Sequence, residues 1–190
     1  LNGVKCAQYF CGDAKDAFDL IRQKQFEKPL YIVDPPRKGL DGKLISAQIK
    51  DELKAEVAQM KEKGINPCLA VIQVGNDPAS SVYVNNKKKA CAYIGIESLS
   101  YELEETVSQD ALLKLISELN NNEKVNGILV QLPLPRHIDE NAVIEAITPS
   151  KDVDGFHPET VGNMCIGTRG FLPCTPAGVI QLLKRSNIEI

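Results

Sequence analysis

Hydrophobic positions fall into two rhythms along this chain. Three short runs are mostly apolar: Leu30–Val33, Leu69–Val74 and Gly127–Leu132. Each is partly β-branched and is followed by turn residues or proline, which predicts a buried strand. Elsewhere apolar residues recur every three or four positions. Ile45, Ile49, Leu53, Val57 and Met60 line one side of a predicted helix that Gly64 ends. Pro78–Tyr93 reads as a second helix, with Asp77 as cap and Pro78 in first position. Leu112, Leu113, Leu115, Ile116 and Leu119 mark a third, and Pro176–Arg185 a fourth behind a Thr175 cap. Strands alternating with helices predict an α/β layered domain, a largely parallel sheet flanked by helices. Gly155 to Pro173 is a long connection holding four glycines, Gly155, Gly162, Gly167 and Gly170. Loops of that length in compact domains are often functional.

Composition narrows the class. A chain of 190 residues suits one domain, or one plus a fragment. Its 43% hydrophobic and 25% charged residues are a globular balance that argues against disorder and fibre. No apolar run approaches the ~18 residues of a membrane span, and no signal-type start is visible. The first residue is Leu1 rather than Met, which suggests a cut or processed start. A net charge of −3 lacks the field of a nucleic-acid binder. The cysteines, Cys6, Cys11, Cys68, Cys91, Cys165 and Cys174, form no C-x-x-C pair, and the only histidines are His137 and His157. The expectation is reduced thiols in a cytoplasmic protein with no metal site.

Four segments carry candidate chemistry. Tyr83 and Lys87 are four apart, so on a helix they share a face that Lys88 and Lys89 leave. An aromatic ring beside an ammonium can stack on a flat heterocycle and pass it a proton; a solvated basic face is the other reading. In Gly127–Pro135 an apolar strand ends in Gln131 before two prolines. Ligands of α/β sheets bind beyond the carboxyl ends of strands. Gln131 there could serve a ligand or loop backbone. In Lys151–Pro158, an extended backbone would put Asp152 and Asp154 on one side. A carboxylate can grip an amino-pyrimidine edge; the alternatives are an Asx-turn and a calcium loop, the latter lacking the spaced oxygen ligands and the closing Glu. His157 before Pro158 suits a turn better than an acid/base role. Cys174, in Pro173–Gly178, has nothing nearby in sequence to activate it, and a structural role suits it better.

Together these segments resemble one family. From about Leu40 to Ile190 the chain resembles the amino-terminal half of bifunctional methylenetetrahydrofolate dehydrogenase/methenyltetrahydrofolate cyclohydrolase. The matching residues are Leu40–Lys43, Val74–Ser80, Tyr83–Lys87, Gly127–Pro135, Lys151–Pro158 and Pro173–Gly178, in the family's order and spacing. The resemblance implies that Lys87 handles the proton of the cyclohydrolase step and assists the dehydrogenase step. It implies that Tyr83 packs on the pterin, Gln131 tunes Lys87 and Asp154 binds the pterin ring. Backbone of Val130, Gln131 and Leu132 would line the folate site. The implied partners are tetrahydrofolate derivatives and a second copy in a homodimer, with no nucleic acid and no membrane. The implied cofactor is NADP, or NAD in some members, for a multifunctional cytoplasmic enzyme of one-carbon metabolism and purine biosynthesis.

Two departures shape the expected domains. No G-x-G-x-x-G fingerprint follows a strand, so the NADP-binding Rossmann half is expected to lie outside this chain, leaving residues 39–190 as a folate-binding domain. Residues 1–38, with Phe10–Ala14 and Asp34–Lys38, resemble instead a fragment of a uracil-5 RNA methyltransferase. The rival functions are therefore a non-catalytic folate-binding fragment and an RNA methyltransferase fragment.

Overall fold

The computed structural model of the chain describes residues 41–168 and 170–188. The expected strand Leu30–Val33 and the methyltransferase-like segment lie outside them. The chain divides into two compact units. One, Ala47–Gly178, holds the sheet formed by the described strands; of the other, residues 41–46 and 179–188 are described.

Helix α1, Gly42–Glu62, comes first. Gly64 ends it in a left-handed conformation, where its amide reaches the Lys61 carbonyl. Of the expected apolar face, Ile45 and Val57 are buried, whereas Leu53 and Met60 are exposed. Strand β1, Cys68–Val74, lies between the two other strands of a parallel sheet that has three strands among the described residues. Strand β2, Glu97–Leu103, pairs on one side with Leu69 opposite Ser98. Strand β3, Gly127–Val130, pairs on the other with Leu69 opposite Gly127.

The pleat sorts β1 into two faces. Ala70, Ile72 and Val74 point into the larger core, with Ile128 and Val130 of β3. That core is closed by Leu112, Ile116 and Leu119 of α3, Gln109–Asn121, and by Val143 of α4, Glu140–Ala146. On the opposite face Val71 and Leu129 pack with Val84 of α2, Pro78–Ile94. Helices on both faces of a parallel sheet are the layered α/β arrangement that the alternating pattern predicts.

Helix α2 begins where expected. Asp77 caps it, its carboxylate accepting from the Ser80 amide at 2.7 Å, and Pro78 follows. Gly95 closes its other end. On the α1 side, Tyr93 Oη donates to the Asp51 carboxylate, and Lys54 Nζ lies 4.7 Å from the centre of the Tyr93 ring.

Four expectations need correction. β3 stops at Val130, not Leu132: Gln131 still donates to Ile72 O at 2.8 Å, but Pro133 has no N–H with which to extend the ladder. The Gly155–Pro173 connection contains a helix, α5, Pro158–Ile166, which His157 caps and Gly167 ends. Thr175 is not a cap. Helix α6 runs Cys174–Arg185, because the Ala177 amide donates back to Pro173 O at 3.1 Å and closes the first turn earlier. The segment around Asp152 is not extended: Pro149–Lys151 forms one 3-10 turn and a tight turn follows. Lys151 anchors that turn, its ammonium donating to the carbonyls of Leu119, Asn120 and Asn122 at the end of α3. A cation among the last carbonyls of a helix satisfies them and complements the dipole.

Candidate active site

The carboxyl ends of β1 and β3 open beneath α2. Leu129 lies on the α2 face of β3, and Gln131, two residues on and still bonded to Ile72 O, keeps that orientation. Its side chain therefore meets α2. Lys87 Nζ donates to Gln131 Oε1 at 3.0 Å. The amide is fixed from its other end as well, since Gln131 Nε2 donates to Leu132 O at 2.7 Å. That bond turns the NH₂ toward the carbonyl and leaves the amide oxygen facing the lysine. Tyr83, one turn earlier on α2, is 62% exposed. Lys88 turns away and pairs with Glu102 of β2 at 2.8 Å. Lys89 lines a separate groove with Lys50 and Tyr93.

Across from Lys87 the two aspartates take different work. Asp152 is only 2% exposed, and both its oxygens are taken: one accepts from the Gly155 amide at 3.1 Å, the other from His157 N at 2.9 Å. It is a turn former, as the Asx alternative has it. Asp154 is half-buried. Burial pushes its carboxyl up from the ordinary range and Asp152 adds to this, while the Lys87 ammonium pulls it down. Asp154 therefore shares a field with Lys87. An apolar cavity lies alongside, lined by Val130, Leu132, Val143, Asp154 and Phe156 among others. Cys174 enters from the start of α6, its Sγ donating to Val153 O at 3.5 Å. Burial and the Asp154 carboxylate push its thiol up, against a thiolate nucleophile. The described cysteines, Cys68, Cys91, Cys165 and Cys174, are all free.

Residues 40–154 match the sequence profile of the tetrahydrofolate dehydrogenase/cyclohydrolase catalytic domain. The chain belongs to that family. It is 72% identical over 151 residues to the bifunctional protein FolD of Agathobacter rectalis, covering 80% of this chain and 54% of that one. The FolD of Acetivibrio thermocellus is 64% identical over 153 residues, with the same coverage. Among solved structures, the Campylobacter jejuni bifunctional FolD methylenetetrahydrofolate dehydrogenase/cyclohydrolase superposes with a TM-score of 0.76 at 56% identity, covering 78% of this chain and 53% of that one. The Trypanosoma brucei enzyme, solved with NADP and an inhibitor, gives 0.76 at 38% identity over 86% of this chain and 54% of that one. The chain thus spans about half the length of the relatives it matches.

Within this tetrahydrofolate dehydrogenase/cyclohydrolase domain, the structure brings Lys87, Gln131 and Asp154 together and leaves Tyr83 open one helical turn away. Val130 is buried and paired with Ile72. The Leu132 carbonyl is occupied by Gln131. His157 serves as a cap, its Nδ1 accepting from Glu159 N at 3.0 Å. Sequence reasoning missed Gln73, a buried amide beneath the first turn of α2. Its only signal is one polar residue inside the apolar run of β1.

The environment of Asp154 gives a signed expectation. A carboxyl raised by burial favours folding where it is protonated, below its ordinary value near ~3.9, and loses that advantage as pH rises through the folded-state value. Asp154→Asn should therefore melt higher than the parent chain at pH 7, with the gain vanishing toward pH 3. Melting curves across that range test this. A variant less stable at neutral pH would show that the Lys87 attraction outweighs burial.

Proposed function

We propose that residues 40–190 supply the folate-binding catalytic surface for interconverting tetrahydrofolate one-carbon units. The central reaction is hydrolysis of 5,10-methenyltetrahydrofolate to 10-formyltetrahydrofolate, with oxidation of 5,10-methylenetetrahydrofolate preceding it in the complete protein. One observation carries this reading: Lys87 Nζ, held at 3.0 Å by the oxygen of an amide that is itself anchored to Leu132 O, beside a half-buried Asp154.

The chemistry follows from these groups. Water adds to the cationic methenyl carbon and must lose a proton as the C–O bond forms; Lys87 accepts it in its deprotonated, amine form, having first given its own proton to solvent. The C–N5 bond then breaks as N5 takes a proton, leaving the formyl group on N10 and releasing one proton to solvent. Gln131 fixes the lysine's position and Asp154 grips the amino-pyrimidine edge of the pterin. The exposed Tyr83 ring offers a face for the pterin to stack on. Backbone from Val130 to Leu132 walls the site, and the complete protein is a homodimer. The setting proposed for it is the cytoplasm.

The described residues do not suit a dinucleotide. A pyrophosphate favours the free amides of a helix that follows a strand. Here α2 begins under the Asp77 carboxylate, α3 under Ser108 with Asp110, and α4 under Asp139. NADP, when bound by the complete protein, supplies the hydride acceptor. This chain's residues hold the folate.

Titrating the chain with 5,10-methenyltetrahydrofolate tests the reading. Saturable binding is expected, weakened by Asp154→Ala, with methenyl absorbance falling faster than in buffer. Binding that Asp154→Ala leaves untouched would overturn the assignment.

A further inference from the structure

Strand β1 reads Cys-Leu-Ala-Val-Ile-Gln-Val, and its one amide, Gln73, is 6% exposed. Burying an amide costs free energy unless its hydrogen bonds are made, and an apolar side chain of similar shape avoids that cost. Gln73 Nε2 donates to Ser81 Oγ at 2.9 Å and to Gly75 O at 3.2 Å. Both partners lie on the path from β1 into α2: Gly75 in the turn, with its own amide bonded to Leu103 O, and Ser81 in the first helical turn. We propose that Gln73 is a positioning residue for the hydrolytic step, setting the rotation of α2 and thereby the aim of Lys87 at Gln131. This rests on the function proposed above.

The packing explains why a clamp matters there. Val84 alone represents α2 in the small cluster with Val71 and Leu129. The other buried apolar residues of α2, Cys91 and Ile94, lie two turns or more beyond it, and apolar contact is non-directional, so the first turns of the helix resist rotation poorly without a directional bond. The bond to Ser81, one turn before Val84, supplies a directional constraint, and the bond to Gly75 holds the turn that leads into the helix. Side chains reach ~6 Å from a helix axis, so a rotation of about 10° moves a side-chain tip by roughly 1 Å. A misplacement of about 1 Å can cost on the order of 10²-fold in rate. Lys87 has one directional tether, the 3.0 Å bond to Gln131, and lies two turns along the helix from Ser81.

The experiment compares Gln73→Leu, Ser81→Ala and Ser81→Thr in the full chain, following kcat and KM for methenyltetrahydrofolate hydrolysis together with Tm. Gln73→Leu should lower kcat roughly 10–100-fold, leave KM within about twofold and leave Tm unchanged or higher. Ser81→Ala should copy it, and Ser81→Thr, which keeps the hydroxyl, should restore kcat. The Gln73→Leu/Ser81→Ala double variant should be no worse than Gln73→Leu alone, because that change already removes the contact to Ser81. A second readout needs no turnover: the Gln131 side-chain amide resonances should shift in Gln73→Leu. Unchanged kcat with unchanged resonances overturns the proposal, as does a kcat loss that only tracks a fall in Tm. If Lys87→Met leaves hydrolysis at the parent rate, the functional reading falls instead. The Gln131 resonances then decide alone whether Gln73 sets the helix.

Discussion

Lys87→Met should abolish hydrolysis of 5,10-methenyltetrahydrofolate, slowing it on the order of 10²–10⁴-fold, the usual loss when a positioned acid/base is removed. Methionine keeps the length and apolar stem of lysine, and the fold should keep its melting temperature. The one hydrogen bond at stake is that from Nζ to Gln131 Oε1, and Gln131 retains its bond to Leu132 O. Gln131→Ala should fall between the parent chain and Lys87→Met, because it loosens the lysine without removing it. Lys88→Met and Lys89→Met should matter far less. Lys88 is committed to Glu102, an exposed pair of the kind that adds little, and Lys89 lines the groove with Lys50 and Tyr93. The assay is loss of methenyl absorbance, corrected for the spontaneous reaction. Equal damage from Lys88→Met would mean that the wrong face of α2 has been assigned. Near-normal hydrolysis by Lys87→Met would remove the lysine from the reaction.

The pattern that made Lys87 visible is also the pattern that made most of the fold visible. β1 and β3 are buried on both faces, so they read as apolar runs, and Asp77-Pro78 is a strong helix start. β2 has no such mark. Among the described residues it pairs on one side only, and its apolar residues are separated by Ser and Glu along Glu-Ser-Leu-Ser-Tyr-Glu-Leu, so they never form a run. α4 has seven residues, too few for a helical period to declare itself. α5 hides among glycines, and only the structure shows that Gly162 lies inside a helix while Gly167 ends one. At the site, spacing could pair Asp152 with Asp154 but could not divide their labour. That division comes from the 3-10 turn and the two amides that claim Asp152, which depend on the fold. Gln73 was illegible for a similar reason: one polar residue in a strand says nothing about what lies above it.

Gly155→Ala should be the most damaging of the small changes near the site. Gly155 adopts φ +70°, where an L-residue is strained by roughly 1 kcal/mol or more. Space is closed as well. A Cβ there would lie 2.8 Å from Pro173 N and 3.1 Å from Leu172 C, and both are backbone atoms that cannot rotate aside. Forcing such a contact typically costs about 1–3 kcal/mol. The two effects together predict a loss of about 2–4 kcal/mol, a fall in Tm of roughly 5–15 °C for a domain of this size. The damage should reach function too. Gly155 adjoins Asp154, and the segment it touches runs into Cys174, whose Sγ rests on Val153 O. Separating the two backbones shifts the carboxylate against Lys87, so methenyltetrahydrofolate binding should weaken even at temperatures where the variant stays folded. Gly162→Ala is the control of opposite sign. Gly162 lies within α5 with nothing inside 4 Å of its Cβ position, and alanine there should stabilise the helix by about 0.5–1 kcal/mol. Thermal melts and folate titrations of the two variants decide the matter. A Gly155→Ala chain that melts with the parent and binds as tightly would show that the 155–173 contact does not hold Asp154 in place.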